Sequence, residues 1–277
     1  MSSSHRHFLH MTFQMPGGLS PAGEKALWQR GILTWTDFRL HGLKFFSPPR
    51  TRRLLRAIAA AESLVASGRW TKYLKWTHPV WLLRLYPIVA PDAVFLDIET
   101  TGLQPHHPPI TAATLHDQNL QLFVHKLNLH TLPSFLKRAR LVVTYHGRKF
   151  DLPRLRRHLK LPITFHHIDL APIARALGLG PGLKAALRQL GWTWPPQLPQ
   201  AGAEIPTLWN QFCAGSPQAL QTILLYNAYD TAVLKWLWVA MYNSSLRYWP
   251  LFRPIPLPRL PNLEDLVQKW CQSWLSP

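Results

Sequence analysis

The sequence predicts a mixed α/β fold, in which a five-stranded sheet is flanked by helices and preceded by a helical N-terminal extension. Three observations predict it. Apolar residues recur at helical spacing through the first 91 positions; short apolar runs then alternate with helical segments; and early runs form a hairpin. A hairpin followed by strand–helix–strand units combines antiparallel with parallel pairing, which is the arrangement of a mixed sheet.

Five short apolar runs are the predicted strands. Turn residues bound them, and the hairpin turn is predicted at His116-Asp117-Gln118-Asn119. In chain order, the predicted strands are Val94–Ile98, Thr111–Leu115, Leu120–Lys126, Leu141–Thr144 and His167–Leu170.

Helical spacing of apolar residues predicts the remaining elements. In the N-terminal region the longest helix is predicted at Thr51–Ser67, and Pro48-Pro49 is expected to break the chain before it. The later predicted helices are Thr131–Arg138, Asp151–His158, Ala171–Leu177, Leu183–Leu190 and Pro217–Tyr242. These elements divide the chain into a basic helical region (1–91), a sheet-containing domain (92–245) and a Pro-rich tail with a short helix (246–277).

The charge balance favours a polyanionic partner. Lysine and arginine total 31 against 13 acids, a formal net charge of +18, and residues 1–91 alone contribute +10. This charge fits nucleic acid, an anionic membrane or a solvated basic surface with no specific partner. No apolar run approaches the roughly 18 residues that span a bilayer. The two cysteines lie far apart, which argues against a disulfide framework and fits a cytoplasmic protein.

Asp97 and Glu99 lie at the end of the first predicted strand. Residues two apart on a strand project from the same face, so these carboxylates would lie side by side. Adjacent like charges require a counter-charge, and a divalent metal held by oxygen ligands supplies one.

Two more acids follow in positions that can face this strand end. Asp151 opens a helix just after an apolar strand, where the structural alternative is an ordinary N-cap. Tyr226 and Asp230 are four apart in a predicted helix and therefore share a face; the alternative is a half-buried tyrosine beside a solvated acid. Because the chain has only 13 acids, their placement at these positions argues against coincidence.

The order Asp-x-Glu, Asp, Tyr-x-x-x-Asp resembles the DEDD exonucleases, which have a ribonuclease H-like fold. Tyr226 lies four residues before Asp230, as in their tyrosine (DEDDy) subclass, and the most similar branch is that of the YprB-like proteins. The resemblance extends to Ala26–Phe38, His167–Leu170, Gly182–Lys184 and Leu208-Trp209. The chain departs from the family pattern at His146, where asparagine is common, at Pro181, and after Lys184, where an acid is usual.

The resemblance implies a metal-dependent 3′→5′ exonuclease. Two Mg²⁺ or Mn²⁺ ions, roughly 3.5–4 Å apart, would be held by the carboxylates, with one ion activating water and the other stabilising the leaving oxygen. Asp97 would be the bridging ligand, and Tyr226 would orient the attacking water because a phenol is a poor base at neutral pH. The flanking metal ligands would be Glu99, Asp151 and Asp230.

Further residues are predicted to contact the nucleic acid, which is expected to be a single strand or a 3′ end. The backbone of Thr100, Thr101 and Gly102 would approach the terminal nucleotide, and Lys184 would meet a phosphate. Asp169 is interpreted as a structural hydrogen-bonding residue or as a group that contacts the metal ligands. Aromatic residues could stack on bases or pack between helices, namely Trp70, Tyr73, Trp76 and Trp81.

Two other functions are compatible with the same fold. One is a catalytically silent nucleic-acid-binding module that assists a repair or helicase partner. The other is an endonuclease or junction-resolving enzyme. The intact set of four acids and a tyrosine argues against the silent module.

Overall fold

The computed structural model describes residues 10–67, 69, 72, 79–249 and 251–275. The chain divides into two units, Met1–Ile88 and Val89–Pro277. Among the described residues, no helix is long and apolar enough to cross a bilayer.

The first unit is helical, which confirms the helical N-terminal region. Its main helices are α1 (Pro21–Gln29) and α2 (Pro48–Ala66), separated and followed by short helical turns at Trp35–Asp37, Phe38–Gly42, Leu43–Phe45 and Pro79–Leu85. The prediction that Pro48-Pro49 breaks the chain before α2 is wrong. Proline is tolerated in the first turn of a helix, where its missing N–H has no partner to lose.

Trp81 lies in the core of the first unit. Its side chain is buried and stacks under the Arg84 guanidinium, 5.2 Å from the ring centroid, so it packs rather than presenting a surface for bases. The other aromatics proposed for stacking, Trp70, Tyr73 and Trp76, lie outside the described residues.

Glu24 and Arg84 form a buried ion pair in this unit. Arg84 Nη2 donates to Glu24 Oε2 at 2.8 Å, and both side chains are almost fully buried. Glu24 Oε1 also accepts from Thr12 Oγ1 and from the Phe13 N–H. Since burying charge is costly unless hydrogen bonds satisfy it, this network ties the segment before α1 to the end of the unit.

The second unit contains the predicted mixed five-stranded sheet. Its order is β3-β2-β1-β4-β5. Strand β1 pairs antiparallel with β2 and parallel with β4. Strand β3 pairs antiparallel with β2, and β5 pairs parallel with β4. The strands are β1 (Ala93–Thr100), β2 (Pro109–His116), β3 (Asn119–Val124), β4 (Leu141–Thr144) and β5 (His166–Asp169).

Helices cover both faces of the sheet. On one face a core cluster joins the sheet to α3 and α4 through Leu132, Leu152 and Leu155. On the other face lies the long helix α8, where Trp238 packs against Phe95 of β1. The helices of this unit are α3 (Leu132–Leu136), α4 (Asp151–Leu159), α5 (Leu170–Ala176), α6 (Leu183–Gln189), α7 (Ile205–Cys213), α8 (Pro217–Ser245) and α9 (Leu263–Leu275).

The Pro-rich segment between α8 and α9 is extended and is fixed to α8. Asn243 Nδ2 donates to the Ile255 carbonyl at 2.8 Å, and the Ile255 N–H donates back to Asn243 Oδ1 at 2.9 Å. Tyr229 Oη then donates to Glu264 Oε1 at the start of α9. Helix α8 is therefore covered on its outer side as well, which explains why it is apolar around most of its circumference.

Candidate metal centre

Strand β1 is longer than its parallel neighbour, and this difference opens the site. Parallel pairing with β4 covers only Ala93–Phe95, whereas β1 continues to Thr100. Asp97 and Glu99 lie on this extension, which pairs with β2 but not with β4. They are on the same face as Phe95 and hence on the side of α8. The end of β4 leaves space beside them for the chain that follows it.

Helix α8 and the start of α4 bring the remaining acids to this place. Carboxylate oxygens of Asp97, Glu99 and Asp230 all lie within 4.8 Å of one another. Asp151 is the first residue of α4, and its charge acts on both Asp97 and Glu99. The structure thus brings together the four predicted acids from three distant segments.

Each of these four carboxyl groups has a pKa above its usual range. Burial is the largest cause for all four. The neighbouring carboxylates add to it for Asp97 and Glu99, whose pKa values lie well above their usual range. The pKa of Asp151 rises to about 7 and that of Asp230 to about 6. Lys184 opposes the shift for Glu99 and Asp230, and Arg154 opposes it for Asp151. Burial outweighs both cations.

A divalent cation fits this donor set. Four carboxylates provide only oxygen ligands, which suit Mg²⁺ or Mn²⁺ rather than zinc. Asp151 Oδ1 is buried and has no hydrogen-bond partner among the described residues, as expected for an oxygen that awaits a cation. The residues present are therefore compatible with the predicted metal site.

Tyr226 lies one helical turn before Asp230 and hydrogen-bonds with it. Its hydroxyl also accepts a hydrogen bond from Lys184 Nζ at 3.1 Å. Burial and the nearby carboxylates raise the pKa of Tyr226 far above its usual value, so the phenol stays protonated at any physiological pH.

Lys184 holds a loop beside the tyrosine. Its ammonium donates to the carbonyls of Pro199 (3.2 Å) and Gln200 (2.9 Å), and it lies 4.1 Å from the centroid of the Trp194 ring. Burial lowers its pKa, although the acids of the centre oppose that effect. Three internal hydrogen bonds use its donors in this conformation, and its contact with a phosphate stays a prediction.

Asn227 is a site residue to which the sequence analysis gave no role. Its side chain is fully buried, and Nδ2 donates to Asp97 Oδ2 at 2.7 Å. Thr111 Oγ1 on β2 in turn donates to Asn227 Oδ1 at 3.1 Å. This chain of hydrogen bonds fixes the orientation of the Asp97 carboxylate.

Replacing Asn227 by alanine is expected to weaken metal-dependent activity by about 10- to 100-fold, because Asp97 loses the group that orients it. Titration of activity and of calorimetric binding with Mn²⁺ would measure the change. Asn210→Ala, on the exposed side of α7, is the matched control. Unchanged metal dependence in a folded Asn227→Ala protein would contradict this role.

Asp169 shapes the loop that delivers Asp151. Its carboxylate accepts from the backbone N–H groups of His146 (2.8 Å), Arg148 (3.1 Å) and Ala171 (3.1 Å). These contacts agree with the structural interpretation. His146 has a φ of 65°, a left-handed conformation in which asparagine and histidine are both enriched. A histidine in place of the more common asparagine is therefore compatible with this backbone conformation.

The segment after β1 folds back on itself. Thr100 Oγ1 donates to the Gly102 carbonyl, and Thr101 Oγ1 hydrogen-bonds with His107 Nδ1. A Cβ atom on Gly102 would lie 2.5 Å from the His107 ring, so glycine allows this ring to pack closely. Contacts of Thr100, Thr101 and Gly102 with a nucleotide stay predictions.

Comparison with known proteins adds a family and a distant structural likeness. A family model described as the RNase_H superfamily matches residues 94–242. No curated protein matches the chain. One similar solved structure is the family B DNA polymerase from the hyperthermophilic archaeon Pyrobaculum calidifontis, with 14% identity and a TM-score of 0.35. The match covers 63% of this chain and only 26% of that chain. Because the family model covers more than half of the sequence, the chain belongs to the ribonuclease H superfamily.

Proposed function

We propose that this protein is a metal-dependent 3′→5′ exonuclease of the DEDDy type that hydrolyses phosphodiester bonds in nucleic acid. The observation that carries this proposal is the convergence of Asp97, Glu99 and Asp230 within 4.8 Å at the open end of β1. The charge of Asp151 acts on the first two, and all four acids have raised pKa values. Such a cluster is costly to fold unless cations neutralise it.

Asp97, Glu99, Asp151 and Asp230 would hold two Mg²⁺ or Mn²⁺ ions. Bound there, the ions would supply an activated water and charge stabilisation of the leaving oxygen. Asp97 lies on the central strand with the charges of the other three acids acting on it, which suits the shared ligand. Asn227 keeps its carboxylate in one orientation.

Tyr226 would position the attacking water. A phenol oxygen has one proton to donate and two lone pairs. Asp230 takes the proton and Lys184 occupies one lone pair, so the second lone pair can accept a hydrogen bond from water. Because its pKa is raised, Tyr226 acts by orientation and not as a base.

Labelled oligonucleotides of DNA and of RNA test the proposal. With Mg²⁺ or Mn²⁺, a 5′-labelled single strand should shorten in single-nucleotide steps, while a 3′-labelled strand should release labelled mononucleotide from the start. A chelator is the control for both. Cleavage of a circular single strand would indicate an endonuclease instead. No product from folded protein, with binding retained, would indicate the silent binding module.

A further inference from the structure

A groove lined by arginine side chains lies next to the helix that delivers Asp151. Its volume is about 700 Å³, and its charged or polar lining consists of Arg148, Arg156, Arg157 and His167. Leu152, Pro153 and Ile163 form its apolar part, and none of the described residues that line it is acidic. These seven residues are called the α4 groove below.

Within the part of the chain that the structure describes, the three arginines of the α4 groove have no acidic partner. All three are exposed, and none takes part in an ion pair or a side-chain hydrogen bond among the residues that the structure describes. Their guanidinium groups are therefore available to an external anion.

Helix stability accounts for only part of this cluster. Arg156 and Arg157 lie in the last turn of α4, where the helix dipole favours cations. Arg148 precedes the helix, so the dipole gives no reason for a cation there. Its charge nevertheless acts on His167, and both residues line the groove together with Arg156 and Arg157. Beyond the favourable effect of the dipole on Arg156 and Arg157, placing three unpaired positive charges around one concavity gains nothing for folding.

The α4 groove and the metal centre share the same loop and helix. Asp151 of the centre is followed directly by Leu152 and Pro153 of the groove. With a rise of 1.5 Å per residue, Arg156 and Arg157 lie about 8 Å further along the helix than Asp151. A bound strand would cover this distance with a few nucleotides. Asp169 accepts from the Arg148 N–H at 3.1 Å, which fixes the rim of the groove relative to that loop.

We propose that the α4 groove binds the sugar-phosphate backbone of the substrate strand, on the nucleotides that lie 5′ of the one at the carboxylates. This inference rests on the proposed function and adds the path that the substrate strand takes beyond the carboxylates. Guanidinium groups pair with phosphate through two hydrogen bonds at once, and such contacts carry no sequence information. The groove therefore suits a substrate of any sequence.

The test is the salt dependence of binding by the double variant Arg156→Gln/Arg157→Gln. Anisotropy of a fluorescent single strand, measured in chelator so that no cleavage occurs, gives the affinity at several salt concentrations. Loss of two phosphate contacts should lower the slope of log affinity against log salt by about 1.4 and weaken binding about tenfold. Thermal denaturation shows that the variant is folded.

Lys137→Gln/Arg138→Gln is the matched control. Both residues are exposed, the loss of charge is the same, and Arg138 lies near Asp92 at the opposite end of β1. This variant should keep the wild-type slope. Equal slopes for the two variants, or no binding of any single strand by the wild type, would overturn the proposal.

Vesicles containing phosphatidylserine separate a membrane partner from nucleic acid. If the Arg156→Gln/Arg157→Gln variant loses vesicle binding but keeps its oligonucleotide affinity, the groove serves a membrane and the proposal is overturned. If the salt slope falls as expected while no cleavage is found with either metal, the groove proposal stands and the exonuclease proposal fails.

Discussion

Asp97→Asn is expected to reduce metal-dependent cleavage by about 10³-fold or more. The side chain keeps its size and can keep its contact with Asn227, but it loses the charge that a shared metal ligand needs. Metal ions contribute several kcal/mol of charge stabilisation in phosphoryl chemistry, and each factor of ten in rate corresponds to about 1.4 kcal/mol. Single-turnover cleavage of a labelled strand with saturating Mn²⁺ would measure the loss.

Asp117→Asn is the control for this change. Asp117 is an exposed acid in the β2–β3 turn with a φ of 56°, a conformation that asparagine also adopts, so the substitution removes one negative charge without strain. It should leave cleavage unchanged, and both variants should bind single strands. Residual cleavage by Asp97→Asn within tenfold of the wild type would refute the assigned role.

Without divalent metal, stability is expected to fall as the pH rises from about 4 to about 7. Asp151 and Asp230 have folded-state pKa values of about 7 and about 6, above those of an unfolded chain. The folded protein therefore binds more protons than the unfolded chain in this window, and the free energy of unfolding declines with pH. Asp97 and Glu99, whose pKa values are raised as well, act in the same direction.

Mg²⁺ or Mn²⁺ should reverse this loss, because the ions bind the deprotonated carboxylates of the folded state only. Melting temperatures at pH 5 and pH 8, with chelator and with metal, would measure both effects. The gain from metal should be small at pH 5 and large at pH 8, and Asp97→Asn should reduce it. A melting temperature at pH 8 that does not respond to metal would contradict a cation site at these residues.

Local pattern was enough to place the strands. Leu141–Thr144 was predicted with the bounds that β4 has, since a short apolar run between turn residues has few other interpretations. The strand Val94–Ile98 was predicted shorter than β1, which runs from Ala93 to Thr100. The last residues of β1 are polar, so the apolar pattern that predicts a strand ends before them. These polar residues nevertheless belong to the site.

Local sequence pattern does not reveal residues whose role depends on a hydrogen-bond partner elsewhere in the chain. Asn227 is a polar residue inside an apolar helix, and nothing near it in the sequence indicates that Asp97 is its partner. The sequence predicts a phosphate contact for Lys184 because it follows a glycine-rich turn, and this contact stays a prediction. Its observed partners are carbonyls of Pro199 and Gln200, which belong to a loop without any periodic pattern.

The hydrogen bond between Asp97 and Asn227 joins positions that are 130 residues apart. At about 5–20 residues per second, a ribosome needs roughly 7 to 26 s to make the intervening chain. During that interval the nascent polypeptide has β1 but not α8, and a contact of such high sequence separation forms late in folding. Under the proposed function, a site divided in this manner does not act on surrounding nucleic acid before α8 has been made.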